Sequence, residues 1–145
     1  MAAALVVDTS VLVKWFKTDD EDLVTEARAL QERIDRARAG VYAPALLLYE
    51  LGNILTRKTN LDDAAIAGVL VRITASPLIV APPEPALLAR AARLARAHDL
   101  SFYDASFVAL AVALDCPLVT ADRTLVRRTR ELSLVRHLAE ATDLP

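Results

Sequence analysis

Four acidic side chains interrupt apolar segments of this 145-residue chain: Asp8 in LVVDTS, Glu50 in LLLYELGNIL, Asp104 in SFYDASFVALAVAL and Asp122 in LVTADRTL. A carboxylate withdrawn from water is costly unless a cation or hydrogen bonds compensate it. Four such positions in one small chain suggest that they meet around a shared cation. Two histidines and one cysteine are too few for a soft-metal site. An oxygen-only cluster favours a hard ion, Mg²⁺ with Mn²⁺ as its substitute.

The elements between these acids alternate. Leu5 to Val7 reads as a strand ended by Asp-Thr-Ser, and Val11 to Phe16 as a short helix. Leu23, Ala27, Leu30 and Ile34 recur at helical spacing to about Arg38, with Gly40 as the stop. Val41 to Ala43 is a second strand. Pro44 suits the first turn of the helix that carries Glu50 and runs to about Lys58. Asp62 to Ala75 is a further helix that Pro77 ends, and Leu78 to Val80 a third strand. Ala86 to His98 and Ser101 to Leu114 are helices, the second nearly all apolar. Leu118 to Thr120 is the fourth strand, Asp122 to Arg130 a short basic helix, and Leu132 to Val135 a weak fifth strand. Strands separated by helices of a dozen residues predict an α/β domain with a central parallel sheet of four or five strands. Ligands of such sheets bind beyond the carboxyl ends of the strands, where Asp8 and Asp122 both fall.

Composition bounds the rest. With 54% apolar residues, residues 1–145 suit one domain with a full core. The apolar runs are too short to cross a bilayer, and MAAALVVD lacks the basic start of an export signal. A cytoplasmic protein is expected. Cys116, alone, is expected to be a buried, inert thiol. Net charge is −2 with a pI near 5.7, against the basic balance of most nucleic-acid binders. Basic residues nevertheless cluster at Arg90, Arg93 and Arg96 and at Arg123, Arg127, Arg128 and Arg130.

Weighed singly, three of the acids have a plain capping role. Asp8 precedes Thr-Ser, Asp104 matches the third position of a capping box begun by Ser101, and Asp122 opens a helix. Glu50 is harder to dismiss, because its neighbours one turn away are Leu46, Leu47 and Ile54. Asn53 suits an amide that orients it, and equally an exposed residue. The joint pattern shifts the balance, since all four acids can face one rim. Asp19 to Asp22 read instead as a solvated run, Asp62 and Asp63 as helix-start residues, and Asp99 and Asp115 as turn residues. Arg90, Arg93 and Arg96 read as a wet helix face, and Arg123 and its successors as surface residues or partners of Glu131, with phosphates near Asp122 as the other reading. Trp15 and Phe16 read as core, or as the lining of a groove for a partner helix.

LVVDTS, then YEL with Asn three residues after the Glu, then SFYDASFVALA, then PLVTAD with a leucine three residues on, resembles PIN-domain ribonucleases. Within them it looks like the VapC toxins of VapBC toxin–antitoxin pairs. The resemblance runs from about Leu5 to Leu125 and implies a three-layer α/β/α fold. It assigns Asp8, Glu50, Asp104 and Asp122 to an acidic centre, with Ser10 and Thr120 as hydroxyls beside the metal. Asp8 and Asp104 are expected to be the direct ligands. It further implies an RNA substrate, a VapB-like antitoxin and a toxin homodimer. Asp115-Cys116-Pro117 stands where the family has a glycine turn, which puts that turn's geometry in question.

Hydrolysis of a phosphodiester needs an activated water, stabilised nonbridging oxygens and help for the leaving alkoxide, and one or two divalent ions supply all three. Other readings are a PIN domain in general RNA processing, or one kept as a catalytically weak binding module. A haloacid-dehalogenase-like phosphatase would need a second Asp two residues after Asp8, where Ser10 stands. A response-regulator receiver would need an acid pair at the first strand and a phosphoacceptor after the third, where Ala81-Pro82-Pro83 follows.

Overall fold

A computed structural model describes residues 3–144. The first strand, β1 (Ala4–Val7), is followed by a one-turn helix α1 (Thr9–Leu12), which tightens into a 3₁₀ turn at Val13–Trp15. Then come α2 (Val24–Ala37), β2 (Gly40–Pro44), α3 (Leu46–Lys58), α4 (Asp63–Thr74), β3 (Leu78–Ala81), α5 (Pro85–His98), α6 (Phe102–Leu114), β4 (Leu118–Thr120), α7 (Arg123–Arg128) and β5 (Val135–His137). The five strands form one sheet in the order β3-β2-β1-β4-β5, and every pairing is parallel. Parallel crossovers are right-handed. Connections that run outward from β1 to β3, and then back across to β4 and β5, therefore place helices on opposite faces, giving the three-layer α/β/α arrangement.

Leu5, Val6, Val7, Leu118 and Val119 have no exposed surface, as strands covered on both faces require. Helix α2 buries Ala27, Leu30 and Ile34, and α6 buries every residue from Ala105 to Ala111. Helices α5 and α6 meet through Ala91, Ala105 and Ala109, small side chains that let the two backbones approach closely. Ala109→Leu is expected to overpack this seam and to cost about 1–3 kcal/mol, read by urea unfolding.

Several local expectations shift. Pro44 is the last residue of β2, not the first turn of α3, because the strand continues in register to the Pro44–Ala81 pair. Gly40 begins β2, and α2 is ended by Arg38 in a left-handed conformation. The weak fifth strand lies three residues later than Leu132. Arg130–Leu132 form a 3₁₀ turn, and Ser133, at φ 59°, turns the chain into β5. The turn without glycine is made by Asp115, at φ 49°, a residue type that tolerates this region. The acidic run is only partly solvated: Glu21 and Asp22 each lie 3.1 Å from the Nζ of buried Lys14. Trp15 and Phe16 are half-buried against the core and line an apolar recess with Leu12, Ile34 and Ile73. Cys116 is buried, and desolvation pushes its thiol up, away from the reactive thiolate. Among the described residues no helix is long and apolar enough to cross a membrane.

Candidate active site

The sheet's topology reverses beside β1, whose two neighbours β2 and β4 are reached by crossovers in opposite directions. A crevice opens at the carboxyl ends of strands at such a point. Asp8 follows β1 directly, Glu50 is in the second turn of α3, Asp104 is in the first turn of α6, and Asp122 follows β4. All four line one cleft of about 310 Å³, together with Thr9, Ser10, Asn53 and Ile54.

Asp8 is 8% exposed, and its side chain does not cap the helix it precedes. Its Oδ2 instead accepts hydrogen bonds from Ser10 Oγ and Thr120 Oγ1, each at 2.7 Å. Burial pushes the carboxyl up from the ordinary carboxylate range. The two hydroxyls oppose that shift, and the Asp104 charge adds to it. Glu50 is raised for the same first reason; Thr9 lowers it, while Asp8 and Asp104 raise it further. Asp104 is also raised by desolvation, with Asp122 pushing up and Arg128 pulling down. These mutual effects link all four carboxylates electrostatically across the cleft.

Each acid has its own tether. Thr9 Oγ1 donates to Glu50 Oε1 at 2.9 Å, so a hydroxyl orients the glutamate, while Asn53 lines the cleft as an exposed side chain. Thr9 carries a role that the sequence did not single out; its only signal was a hydroxyl beside Asp8. Ser101 accepts from the Asp104 amide at 3.0 Å, which places that acid in a capped first turn. Asp122 accepts from the amides of Thr124 and Leu125 and caps α7 through Oδ1. Capping and cleft-lining thus coexist at Asp104 and Asp122. Ser10 binds Asp8 and also accepts from the Ala121 amide at 3.0 Å, joining the ends of β1 and β4. Of the basic residues nearby, Arg123 pairs with Glu140, not Glu131, and Arg128 with Asp99. Arg93 and Arg96 are exposed and Arg90 half-buried.

The donor set fits a hard divalent cation: four carboxylates with hydroxyls beside them and, among the described residues, no lysine or arginine lining the cleft. Among the described residues, no three acids, histidines or cysteines close on one point. Glu50 and Asp122 are held by their own tethers, so an ion would have to draw the carboxylates together.

The sequence profile of the PIN domain matches residues 5–131. Ribonuclease VapC1 of Mycobacterium tuberculosis is 36% identical over 100 residues, spanning 65% of this chain and 74% of that protein. PAE2754 from Pyrobaculum aerophilum superposes with a TM-score of 0.66 at 27% identity, covering 96% of this chain and 92% of the other. A toxin–antitoxin complex from Klebsiella pneumoniae contains a chain that matches with a TM-score of 0.68 at 15% identity, covering 94% and 98%. At that identity the likeness speaks for the fold alone.

Proposed function

The chain belongs to the PIN-domain family, and from that premise we propose that it is the endoribonuclease toxin of a type II toxin–antitoxin pair, hydrolysing RNA phosphodiester bonds with Mg²⁺ or, in its place, Mn²⁺. The observation that carries this reading is the meeting of Asp8, Glu50, Asp104 and Asp122 in one cleft at the topological switch of the sheet.

Asp8 and Asp104 are the direct metal ligands in this reading, and Glu50 and Asp122 complete or support the site. A bound divalent cation supplies an activated water and charge for the nonbridging oxygens. Ser10 and Thr120 hold Asp8 in one orientation. Thr9 does the same for Glu50. The raised affinity of these carboxyls for protons means that metal binding expels protons. Arg127, exposed on α7, the helix that Asp122 caps, would meet phosphates that flank the cleft in this reading.

RNA reaches such a shallow rim most readily as a single strand, whose backbone can bend into the cleft. The partner is a VapB-like antitoxin: a basic side chain inserted among four acids would be favourable and would block the cleft. We further read residues 1–145 as one domain that works in the cytoplasm as a homodimer. The test uses purified chain and structured RNA with single-stranded loops. Discrete cuts are expected with Mg²⁺ or Mn²⁺, none after chelation, and recovery on adding either ion back. Cutting that persists in chelator would overturn the metal-dependent reading.

A further inference from the structure

One buried imidazole near the cleft is unused by the reading above. His137 ends β5, pairs in register with Thr120 and is 3% exposed. Its Nδ1 accepts from the Ala139 amide at 3.2 Å. A backbone N–H can only donate, so the neutral ring carries its proton on Nε2. That nitrogen faces the Ala121 carbonyl at 3.3 Å.

The Ala121 carbonyl belongs to the peptide unit whose N–H is that of Asp122. This amide donates to Thr120 Oγ1 at 3.1 Å, and Thr120 Oγ1 donates to Asp8 Oδ2 at 2.7 Å. The bonds therefore run in one direction: imidazole N–H to carbonyl, across the peptide to amide N–H, to hydroxyl, to carboxylate. Aligned bonds of this kind polarise one another. Rotating the 121–122 peptide would break the link at Thr120, releasing the hydroxyl from Asp8 and moving the start of Asp122 at the same time. Ser10 pins the preceding peptide through the Ala121 amide but does not restrain this one.

We propose that His137 is a positioning residue of the carboxylate cleft, fixing the 121–122 peptide so that Thr120 is held on Asp8 and Asp122 at the rim. The proposal rests on the nuclease reading for its consequence, though not for its geometry. It predicts that the donor at Nε2 matters more than the bulk of the ring. His137→Gln can still reach the Ala121 carbonyl with an N–H, whereas His137→Asn keeps a group near Nδ1 and falls short of that carbonyl.

The experiment compares the full-length wild type, both variants and Val135→Ala, a change to a buried apolar residue of the same strand. It reads Asp122 amide exchange by NMR without metal, Mn²⁺ affinity by calorimetry with Mn²⁺ alone, and thermal unfolding. His137→Asn is expected to speed Asp122 exchange and weaken Mn²⁺ about tenfold, while His137→Gln stays within about threefold of wild type. Val135→Ala should lower the unfolding temperature and leave both other readouts near wild type. The proposal is overturned if His137→Asn leaves Asp122 exchange unchanged, if Gln behaves like Asn, or if Val135→Ala has the same effect. A wild type that binds no Mn²⁺ would instead defeat the nuclease reading, and the exchange result would still judge the peptide clamp.

Discussion

On the proposed toxin reading, Asp8→Asn is expected to abolish the growth arrest caused by expressing the chain alone, and to slow RNA cutting by the purified protein on the order of 10³-fold. The substitution separates charge from shape. An asparagine carbonyl can still accept from Ser10 and Thr120, the two hydroxyls that hold Asp8 Oδ2, so the fold and the β1–β4 junction should survive. What disappears is the negative charge of the most buried acid of the cleft, which a divalent cation would need. Mapping RNA 5′ ends in cells expressing each form supplies the readout: discrete Mg²⁺-dependent ends for the wild type only. Equal toxicity from both would argue against catalysis through Asp8.

The expected loss is large because in the proposed site the four acids would act as a unit. Removal of any one would weaken the hold on the cation, and the carboxyls of Asp8, Glu50 and Asp104 each feel the charge of another member of the set. Coupled groups of this kind respond non-additively. A double substitution at Asp8 and Asp104 should therefore cost little more than the worse single one.

The parts of this arrangement that were legible in the sequence are those with a strong local signature. Glu50 could be picked out because an acid within an apolar helix face has few inexpensive explanations. Asp8 and Asp122 could be placed because each directly follows a short β-prone run, and parallel sheets put such positions at one rim. What escaped were links between segments remote in the chain. Thr9 reads as an ordinary turn residue until α3 is packed beside it, 41 positions away in sequence. His137 lies beyond Val135, the expected end of the fifth strand, and the start of β5 depends on a left-handed turn at Ser133 that no glycine announced. Lys14 shows the same limit. Its charge sits in an apolar stretch, and its reward, the ion pairs with Glu21 and Asp22, appears only once the loop folds back.

The second large effect concerns stability, and its sign follows from the cleft's proton affinities. Asp8, Glu50 and Asp104 all hold protons more tightly folded than unfolded. Their contribution is fully present in acid and is lost as pH rises from the ordinary carboxylate range, near 4, through their raised folded values. Asp22 and Asp143 run the other way: Lys14 and Arg136 hold their carboxyls down, and what they contribute is lost as pH falls. Asp22 and Asp143 are exposed, where solvent screens such pairs, so the cleft acids dominate and metal-free protein should unfold at a lower temperature at pH 8 than at pH 5.

A divalent cation binds the ionised carboxylates and should reverse that trend. At a concentration of 100 times its Kd it adds about 2.7 kcal/mol, roughly 9 °C for a chain of this length. The gain should be much smaller at pH 5, where protons compete for the same oxygens. Differential scanning calorimetry with and without Mg²⁺ at both pH values reads this directly. Asp8→Asn provides the internal check. Removal of the most buried of the repelling charges should make the metal-free variant more stable than wild type at pH 8, while most of the cation's stabilisation is lost. A site built to bind an ion is strained without it, so a substitution that relieves the strain should also disable the site. Equal Mg²⁺ stabilisation of wild type and Asp8→Asn would mean that the ion binds elsewhere and that the cleft acids serve only the fold.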